Sequence, residues 1–295
     1  MLGDFIGPLA NPMTDLKVAE GESPIPLDRV FYRFNYYNSL SPGVYQSAFV
    51  PYKQVNLFTN VFGFEKTFGE WFSFGVRIPI HGIDALSRGT YYVQLPGPGN
   101  HTKAVPGVPD YGSAQLGNIN SIFKLKLAED RNAAYLVSAG LAISFPTAAT
   151  PKIDPGPSTA TVLQPFIGFV YTRNRFFAQG FGSMTLLMIS IQSLILFNDV
   201  GLGLWAYRDD SPTAILTGIA PTFELHLNVP VQGPDRISYI FNRAGTLPFD
   251  TQFNLTFGST FEFAHRATLG LGFVVPTVGP DPFKYEFLAQ FNFRF

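Results

Sequence analysis

The last twelve residues, KYEFLAQFNFRF (284–295), place an apolar side chain at every second position. One side carries Tyr285, Phe287, Ala289, Phe291, Phe293 and Phe295, and the other carries Lys284, Glu286, Gln290, Asn292 and Arg294, with Leu288 as the exception. Because successive side chains of an extended strand point to opposite faces, this pattern predicts a strand with one apolar and one polar face.

The same alternation recurs along the chain and predicts twelve antiparallel strands. The runs lie at about 28–38, 53–64, 70–81, 118–127, 133–145, 161–172, 175–187, 199–208, 213–229, 251–263, 266–275 and 284–295. The alternation is poor at 53–64 and 175–187, so the register of these two strands stays open. An even number of strands is typical of bacterial barrels that span a membrane.

Composition excludes several classes of protein. Charged residues make up 14% of the chain, against about 25% in soluble globular proteins, and aromatic residues reach 16%. The net charge of −1 gives no basic patch for nucleic acid, and the absence of cysteine excludes disulfides and thiolate metal sites. The sequence has no apolar run long enough for a transmembrane helix.

The connections between the predicted strands alternate in length. Short ones fall near 65–69, 128–132, 172–175, 208–212 and 264–266, and longer ones at 39–52, 82–116, 146–160, 188–198, 230–248 and 277–283. Up-and-down barrels of the outer membrane have short periplasmic turns and long extracellular loops. If the first strand runs outward, every short turn and both termini lie on the periplasmic side.

The apolar face of these strands is predicted to meet lipid. In a soluble sandwich the apolar face would instead pack against a second sheet. The opposite face is rich in small residues, such as Gly201, Gly203, Gly270 and Gly272, which suits a crowded lumen. Glycine weakens a strand unless another group approaches closely. The predicted fold is therefore all-β, a transmembrane antiparallel up-and-down β-barrel of about 12 strands.

The C-terminal strand resembles that of bacterial outer-membrane β-barrels, which commonly end on an aromatic residue. The stretches ESPIPLDRVFYRFNYYN (22–38), FGFEKTF (62–68) and NDVGLGLWAYR (198–208) also resemble outer-membrane barrels predicted in planctomycete-type bacteria. The resemblance implies localisation in the bacterial outer membrane and contact with the lipid bilayer and lipopolysaccharide, and it supplies no catalytic or binding residues. It also implies that Phe291, Phe293 and Phe295 form a signal read by the barrel-insertion machinery.

Charged residues on the opposite face are predicted to line the lumen. They are Arg29, Arg33, Arg77, Lys124, Lys126, Glu224, Glu262, Glu286 and Arg294, with His226 on the same face as Glu224. Basic residues of the early strands lie along one arc, across from Glu224 and Glu262. Two interpretations remain open: a transverse field that orients polar solutes, or charges that pair within a filled interior.

The chain divides into an N-terminal segment (1–25) and the barrel (26–295). The segment lacks strand alternation and is predicted to be a lumen plug, a periplasmic segment that binds a partner, or a loosely ordered tail. The apolar stretch 188–197 is predicted at the extracellular rim, where it captures a hydrophobic ligand, contacts a neighbouring subunit or extends the strands above the bilayer. The long connection 82–116 is either an interface or folds back into the pore mouth.

The predicted function is passive, selective passage of small solutes through a narrow, partly occluded lumen, because twelve strands lie between filled and open barrels. The alternatives are a hydrophobic-solute transporter with an N-terminal plug and a structural barrel that anchors an outer-membrane assembly. An enzyme is not expected, since no serine is visibly placed beside His226, and no cofactor is implied. A homo-oligomer or a larger membrane complex is compatible with the sequence.

Overall fold

The computed structural model describes residues 23–40, 42–45, 47–95, 101–130, 135–148, 161–187, 194–232, 237–238, 246–247, 251–279 and 281–295. It contains one helical turn, α1 (Pro42–Tyr45), among eighteen strands. The strands are β1 (Arg29–Asn38), β2 (Tyr52–Phe68), β3 (Phe72–Ser87), β4 (Thr90–Gln94), β5 (Thr102–Pro106), β6 (Tyr111–Leu116), β7 (Asn120–Asp130), β8 (Tyr135–Ser144), β9 (Val162–Arg173), β10 (Phe176–Leu187), β11 (Leu194–Leu204), β12 (Tyr207–Arg208), β13 (Leu216–Gln232), β14 (Ile237–Ser238), β15 (Thr246–Leu247), β16 (Gln252–Phe263), β17 (Ala267–Val278) and β18 (Tyr285–Arg294).

The barrel wall is a closed antiparallel sheet with twelve strand positions. Neighbouring strands pair in the order β11-β10-β9-β8-β7-β3-β2-β1-β18-β17-β16-β13, and β11 pairs with β13 to complete the ring. The first wall strand, β1, pairs with the last, β18, so that Arg29 lies opposite Arg294. One wall position is shared by β6 and β7, which pair with successive parts of β3. The predicted all-β, twelve-stranded barrel is confirmed.

The wall is taller than the sequence predicted on the side of the long connection 82–116. β3 continues to Ser87, and β6 pairs with its extension, so that Ile80 lies opposite Leu116. Between them, β4 and β5 form a separate hairpin. Much of the predicted loop is therefore sheet, because its alternating side chains extend the barrel wall beyond the short strands.

The apolar stretch 188–197 was predicted to be a rim loop, and the part of it that the structure describes is wall. β11 begins at Leu194, and Ile195 and Phe197 are buried on its inner side. Residues 194–197 therefore extend the strand, which is one of the predicted alternatives, and Ile195 and Phe197 point into the lumen. Residues 188–193 lie outside the described residues.

The outer surface of the barrel carries large apolar side chains. Phe62, Phe257 and Phe287 are among many that stay exposed on the outside, as a lipid-facing band requires. One of the predicted inward glycines, Gly203, is covered by an aromatic ring. A Cβ on Gly203 would lie 2.1 Å from the Phe177 ring, so the ring covers the strand where the glycine leaves space.

All described short turns lie at one end of the barrel, together with the start of β1 and the end of β18. β2 turns into β3 at Gly69, β9 into β10 at Asn174, and β16 into β17 at Ala264 and His265, all with positive φ. We call this the periplasmic end, because short turns face the periplasm in outer-membrane barrels. No described helix is long and apolar enough to cross a membrane.

The opposite, extracellular end of the lumen is filled by an apolar cluster, here called the extracellular seal. It consists of Tyr37, Leu40, Tyr52, Val55, Leu57, Ile83, Ala85, Val274, Phe283 and Leu288. Tyr45 of α1, Val108 and Tyr111 pack against it. Each member is at most 9% exposed, so the seal is packed like a protein core.

An arginine in the middle of the lipid-facing band should destabilise the barrel. We expect Phe257→Arg to lower the free energy of unfolding by about 2–4 kcal/mol, because a charge at the bilayer midplane loses its hydration. Tyr92→Arg, on the exposed β4 strand outside the barrel wall, is the matched control. Urea unfolding in lipid vesicles measures both, and equal stability of the two variants would contradict the assigned outer face.

Candidate functional site in the barrel lumen

Residues 23–28, here called the strap, precede β1 and lie inside the barrel. The Lys124 ammonium donates a hydrogen bond to the backbone oxygen of Ser23 at 2.9 Å. Pro24 is buried and lies against Gly168 of β9, where an added Cβ would come within 2.9 Å of the Pro24 Cβ. β9 is separated from β1 by β2, β3, β7 and β8, so the strap crosses the lumen.

The Glu65 carboxylate connects the strap to three wall strands. Its Oε2 accepts hydrogen bonds from Arg29 Nε at 3.0 Å and from Lys124 Nζ at 2.9 Å. Its Oε1 accepts from Ser73 Oγ at 2.7 Å and from the backbone N–H of Leu27 at 3.4 Å. We call Arg29, Glu65, Ser73 and Lys124 the Glu65 hub.

Burial makes the Glu65 hub energetically coupled. The side chains of Arg29, Glu65 and Lys124 are 2–4% exposed, so each loses most of its hydration. Charges buried in this way are tolerated when they are paired and hydrogen-bonded. The spare donor Nη1 of Arg29 binds Asn292 Oδ1 at 3.0 Å. The Arg29 guanidinium also lies 4.7 Å from the centre of the Phe31 ring, a favourable cation–π distance.

A second polar network lies on the far wall, on β11, β13 and β16. His226 Nδ1 is 2.5 Å from Asp199 Oδ1, and its Nε2 is 2.8 Å from Thr256 Oγ1. Oε2 of Glu224 lies 3.4 Å from the same Nε2. The imidazole therefore joins three neighbouring strands, and Asp199 fixes its orientation.

The hydrogen-bonded chain Asp199–His226–Thr256 has the order of an orienting acid, a base and a nucleophile. Thr256 is fully buried, however, and His226 is 1% exposed. A substrate carbonyl has no access to this hydroxyl while the lumen is filled. The arrangement accounts for the network as a cross-link of the wall. Among the described residues no three metal-ligating side chains converge on one point.

The buried charges of the described lumen balance. Four cations (Arg29, Arg33, Arg77 and Lys124) face four carboxylates (Glu65, Asp199, Glu224 and Glu286). Glu286 accepts a hydrogen bond from Asn35 Nδ2 at 2.7 Å. The charge balance and the close contacts favour pairing within a filled interior over a strongly charged open channel.

The structure separates the predicted lumenal residues into two groups. Arg29, Arg33, Arg77, Lys124, Glu224, His226 and Glu286 are buried on the inner face, whereas Lys126, Glu262 and Arg294 lie at the periplasmic rim. Lys126 pairs with Glu129 at 2.8 Å, and Glu262 accepts a hydrogen bond from Thr217 at 3.1 Å. The role of both groups in lining a pore remains a prediction.

The predicted insertion residues lie on the outer face of the last strand. Phe291, Phe293 and Phe295 are 40–57% exposed. The Phe295 ring stacks on Phe64, with centroids 6.1 Å apart, next to the strand pair that closes the barrel. Recognition of these residues by the insertion machinery remains a prediction.

Sequence reasoning missed Glu65, Ser73, Asp199 and Thr256. The sequence predicts a short turn over 65–69, which includes Glu65. The structure continues β2 to Phe68, which places Glu65 opposite Arg29 on the inner face. The available signal was the spacing Val61–Gly63–Glu65, which keeps the inward phase of the strand.

Removing the Glu65 charge should destabilise the barrel strongly. We expect Glu65→Gln to cost about 3–5 kcal/mol, because Arg29 and Lys124 lose their shared buried carboxylate. Lys124→Met added to Glu65→Gln should recover part of this loss, since it removes one of those cations. Denaturant unfolding of the four proteins of this double-mutant cycle measures the coupling, and additive effects would contradict the hub.

Asp28 gives the periplasmic end a pH dependence. It precedes β1, and the hydrogen bonds from the Lys66 ammonium and from the Thr67 backbone N–H (2.6 Å) hold its pKa below the usual 3.8. A lowered carboxyl pKa contributes stability above about pH 4, and this is lost as pH falls through the folded-state pKa.

We therefore expect Asp28→Asn to be less stable than wild type at pH 7, with the difference vanishing in strong acid. Unfolding curves at pH 7, 4 and 2 provide the measurement. A difference that stays constant down to pH 2 would contradict an ionic contribution from Asp28.

The fold is shared with solved outer-membrane proteins. The chain is similar to an outer membrane channel from Pseudomonas putida F1, with a TM-score of 0.54 and 10% identity over 92% of this chain and 97% of that one. It also aligns with the NanC porin (TM-score 0.48, 7% identity, 90% and 100% covered) and a Pseudomonas aeruginosa FadL homologue (0.47, 10%, 99% and 100%). No family model and no curated protein matches the chain.

At these identities the similarity establishes the fold alone. The closed ring of twelve strands, the lipid-facing aromatic band and the structural similarity agree. The chain therefore has the fold of an outer-membrane β-barrel, a closed ring of twelve antiparallel strands.

Proposed function

We propose that the chain carries small solutes passively and selectively across the outer membrane, through a lumen that is closed in the described conformation. The observation that carries this proposal is the mixed lining of the lumen. A barrel that served only as an anchor would have no need for eight buried charges, whereas a solute pathway needs polar groups along its wall.

The lumen is closed because of the size of the barrel and the side chains that fill it. Twelve strands enclose more space than the eight that side chains fill alone, and less than the 16 to 18 of open porins. In this barrel long side chains occupy the space: Arg33 and Gln290 are 1% exposed and Glu224 is fully buried. Passage therefore requires lumenal groups to move.

The charge pattern supports selectivity once the lumen opens. Arg33 and Arg77 lie on β1 and β3, and Asp199 and Glu224 lie on β11 and β13 across the barrel. Opposed charges create a transverse field that orients dipolar solutes. Glu65 and Glu286 lie among the cations and weaken this field, so selectivity by dipole is expected to exceed selectivity by net charge.

A second candidate function is the transport of hydrophobic solutes. The extracellular seal favours it, because Leu57, Ile83 and Leu288 interrupt the polar lining at the entrance. A water-soluble solute needs a continuous polar path, whereas a solute with a hydrocarbon part can replace the contacts of the seal. Both candidates use the same lumen and differ in which solute opens it.

Single-channel recording of the full chain in planar bilayers tests the proposal. We expect wild type to show brief and infrequent openings, since the lumen is filled at rest. Leu288→Ala should increase the open fraction, because it removes buried contacts from the extracellular seal. Leu225→Ala, on the outer face of β13, is the matched control and should behave like wild type.

The outcomes separate the candidates. One outcome is that folded wild type and Leu288→Ala show no channel current but transfer a fluorescent hydrocarbon-tailed probe into vesicles. This outcome would replace passage of small polar solutes by transport of hydrophobic solutes. Silence combined with no transfer would overturn transport and leave the structural anchor. A steady, fully open level in wild type would contradict the closed lumen.

A further inference from the structure

We propose that the strap is a latch that closes the periplasmic end of the lumen, and that its release from the Glu65 hub opens the solute pathway. This inference rests on the proposed transport function. It identifies the moving part as residues 23–28, and it assigns Lys124 and Glu65 as the groups that hold this part.

The strap is fixed at both sides of the barrel. At one side, Asp28 binds Lys66 and the backbone N–H of Thr67, both on β2. At the other side, Pro24 packs on Gly168 of β9. A segment held at these two points lies over the lumen close to the short turns.

Two further contacts that hold the strap are polar. The Lys124 ammonium binds the Ser23 carbonyl, and the Leu27 N–H binds Glu65. Water can replace both of these contacts when the strap leaves. The extracellular seal has no such replacement, because its contacts are between apolar side chains. Of the six strap residues Pro24 alone is fully buried, against ten residues in the seal, so opening the strap exposes less buried apolar surface than opening the seal.

The two prolines of the strap prevent it from pairing with the strands of the barrel wall. Pro24 and Pro26 have no N–H to donate, so the strap cannot join the sheet ladder as an additional strand. The fixed φ of proline also limits the disorder gained on release. On the wall, Gly168 provides the space for the Pro24 ring, since any Cβ there would collide with it.

The first experiment measures release without measuring transport. The native chain has no cysteine, so Pro24→Cys in the full-length protein gives a single thiol for a charged, membrane-impermeant thiol reagent. Adding Lys124→Met should accelerate labelling roughly tenfold or more, because one charged hydrogen bond to the strap is lost. Lys126→Met is the matched control, since Lys126 lies on the same strand and binds Glu129 outside the hub.

The second experiment locks the strap. In the double variant Pro24→Cys/Gly168→Cys the two Cβ atoms start about 2.9 Å apart, so a small shift reaches disulfide geometry. We expect oxidation to abolish the channel openings of the reconstituted protein and a reductant to restore them. A heat-dependent shift in gel mobility shows that each variant is folded.

The outcomes distinguish the latch from the transport function. Faster labelling in Lys124→Met than in Lys126→Met, together with openings that the disulfide blocks, supports both. Faster labelling without current in any variant supports the latch and overturns the proposed function. Equal labelling of the two variants, currents unchanged by a formed disulfide, or a disulfide that does not form overturns the latch.

Discussion

The hydrogen bonds of the backbone govern this structure, because lipid offers no partner for an unpaired N–H or C=O group. The chain meets this constraint by pairing its first wall strand with its last, from Arg29–Arg294 to Asn38–Tyr285. Closure with an even number of strands brings both strand ends to the periplasmic side. The residues before β1 therefore begin at the mouth of the lumen, where the strap turns inward rather than away from the barrel.

Closure also creates an interior that has to be filled. Twelve strands leave more space than ordinary side chains occupy, and this chain fills it with long cations, aromatic rings and the strap. Phe31 illustrates the packing: its ring covers Gly63, where a Cβ would come within 2.0 Å, and it lies between Arg29 and Arg77. Cations buried in the lumen need a negatively charged partner. This explains why the buried carboxylate of Glu65 lies among them on β2.

The sequence predicted the outer face of the barrel well and the inner face less well, for a physical reason. Lipid demands apolar residues at every outward position, so strands such as β16 and β18 show a clear alternation. The lumen accepts both polar and apolar side chains, depending on the position. Where it is apolar, as at Val55 and Leu57 of β2 or Phe181 of β10, both faces of the strand are apolar and the alternation disappears. Those strands are the ones whose register stayed open, and Glu65 was missed for this reason.

The two ends of the lumen are closed by different forces, and this difference sets the order in which they can open. The extracellular seal is held by apolar burial and resists water and ions until an apolar group enters it. The strap is held by charged hydrogen bonds, which water can take over. Under the proposed transport function, a solute entering from outside must first exchange its own contacts for those of the seal. Only then does it reach Arg33, Arg77 and the Glu65 hub, where competition for Lys124 loosens the strap. If both proposals hold, the extracellular seal selects the solute and the strap responds to its arrival.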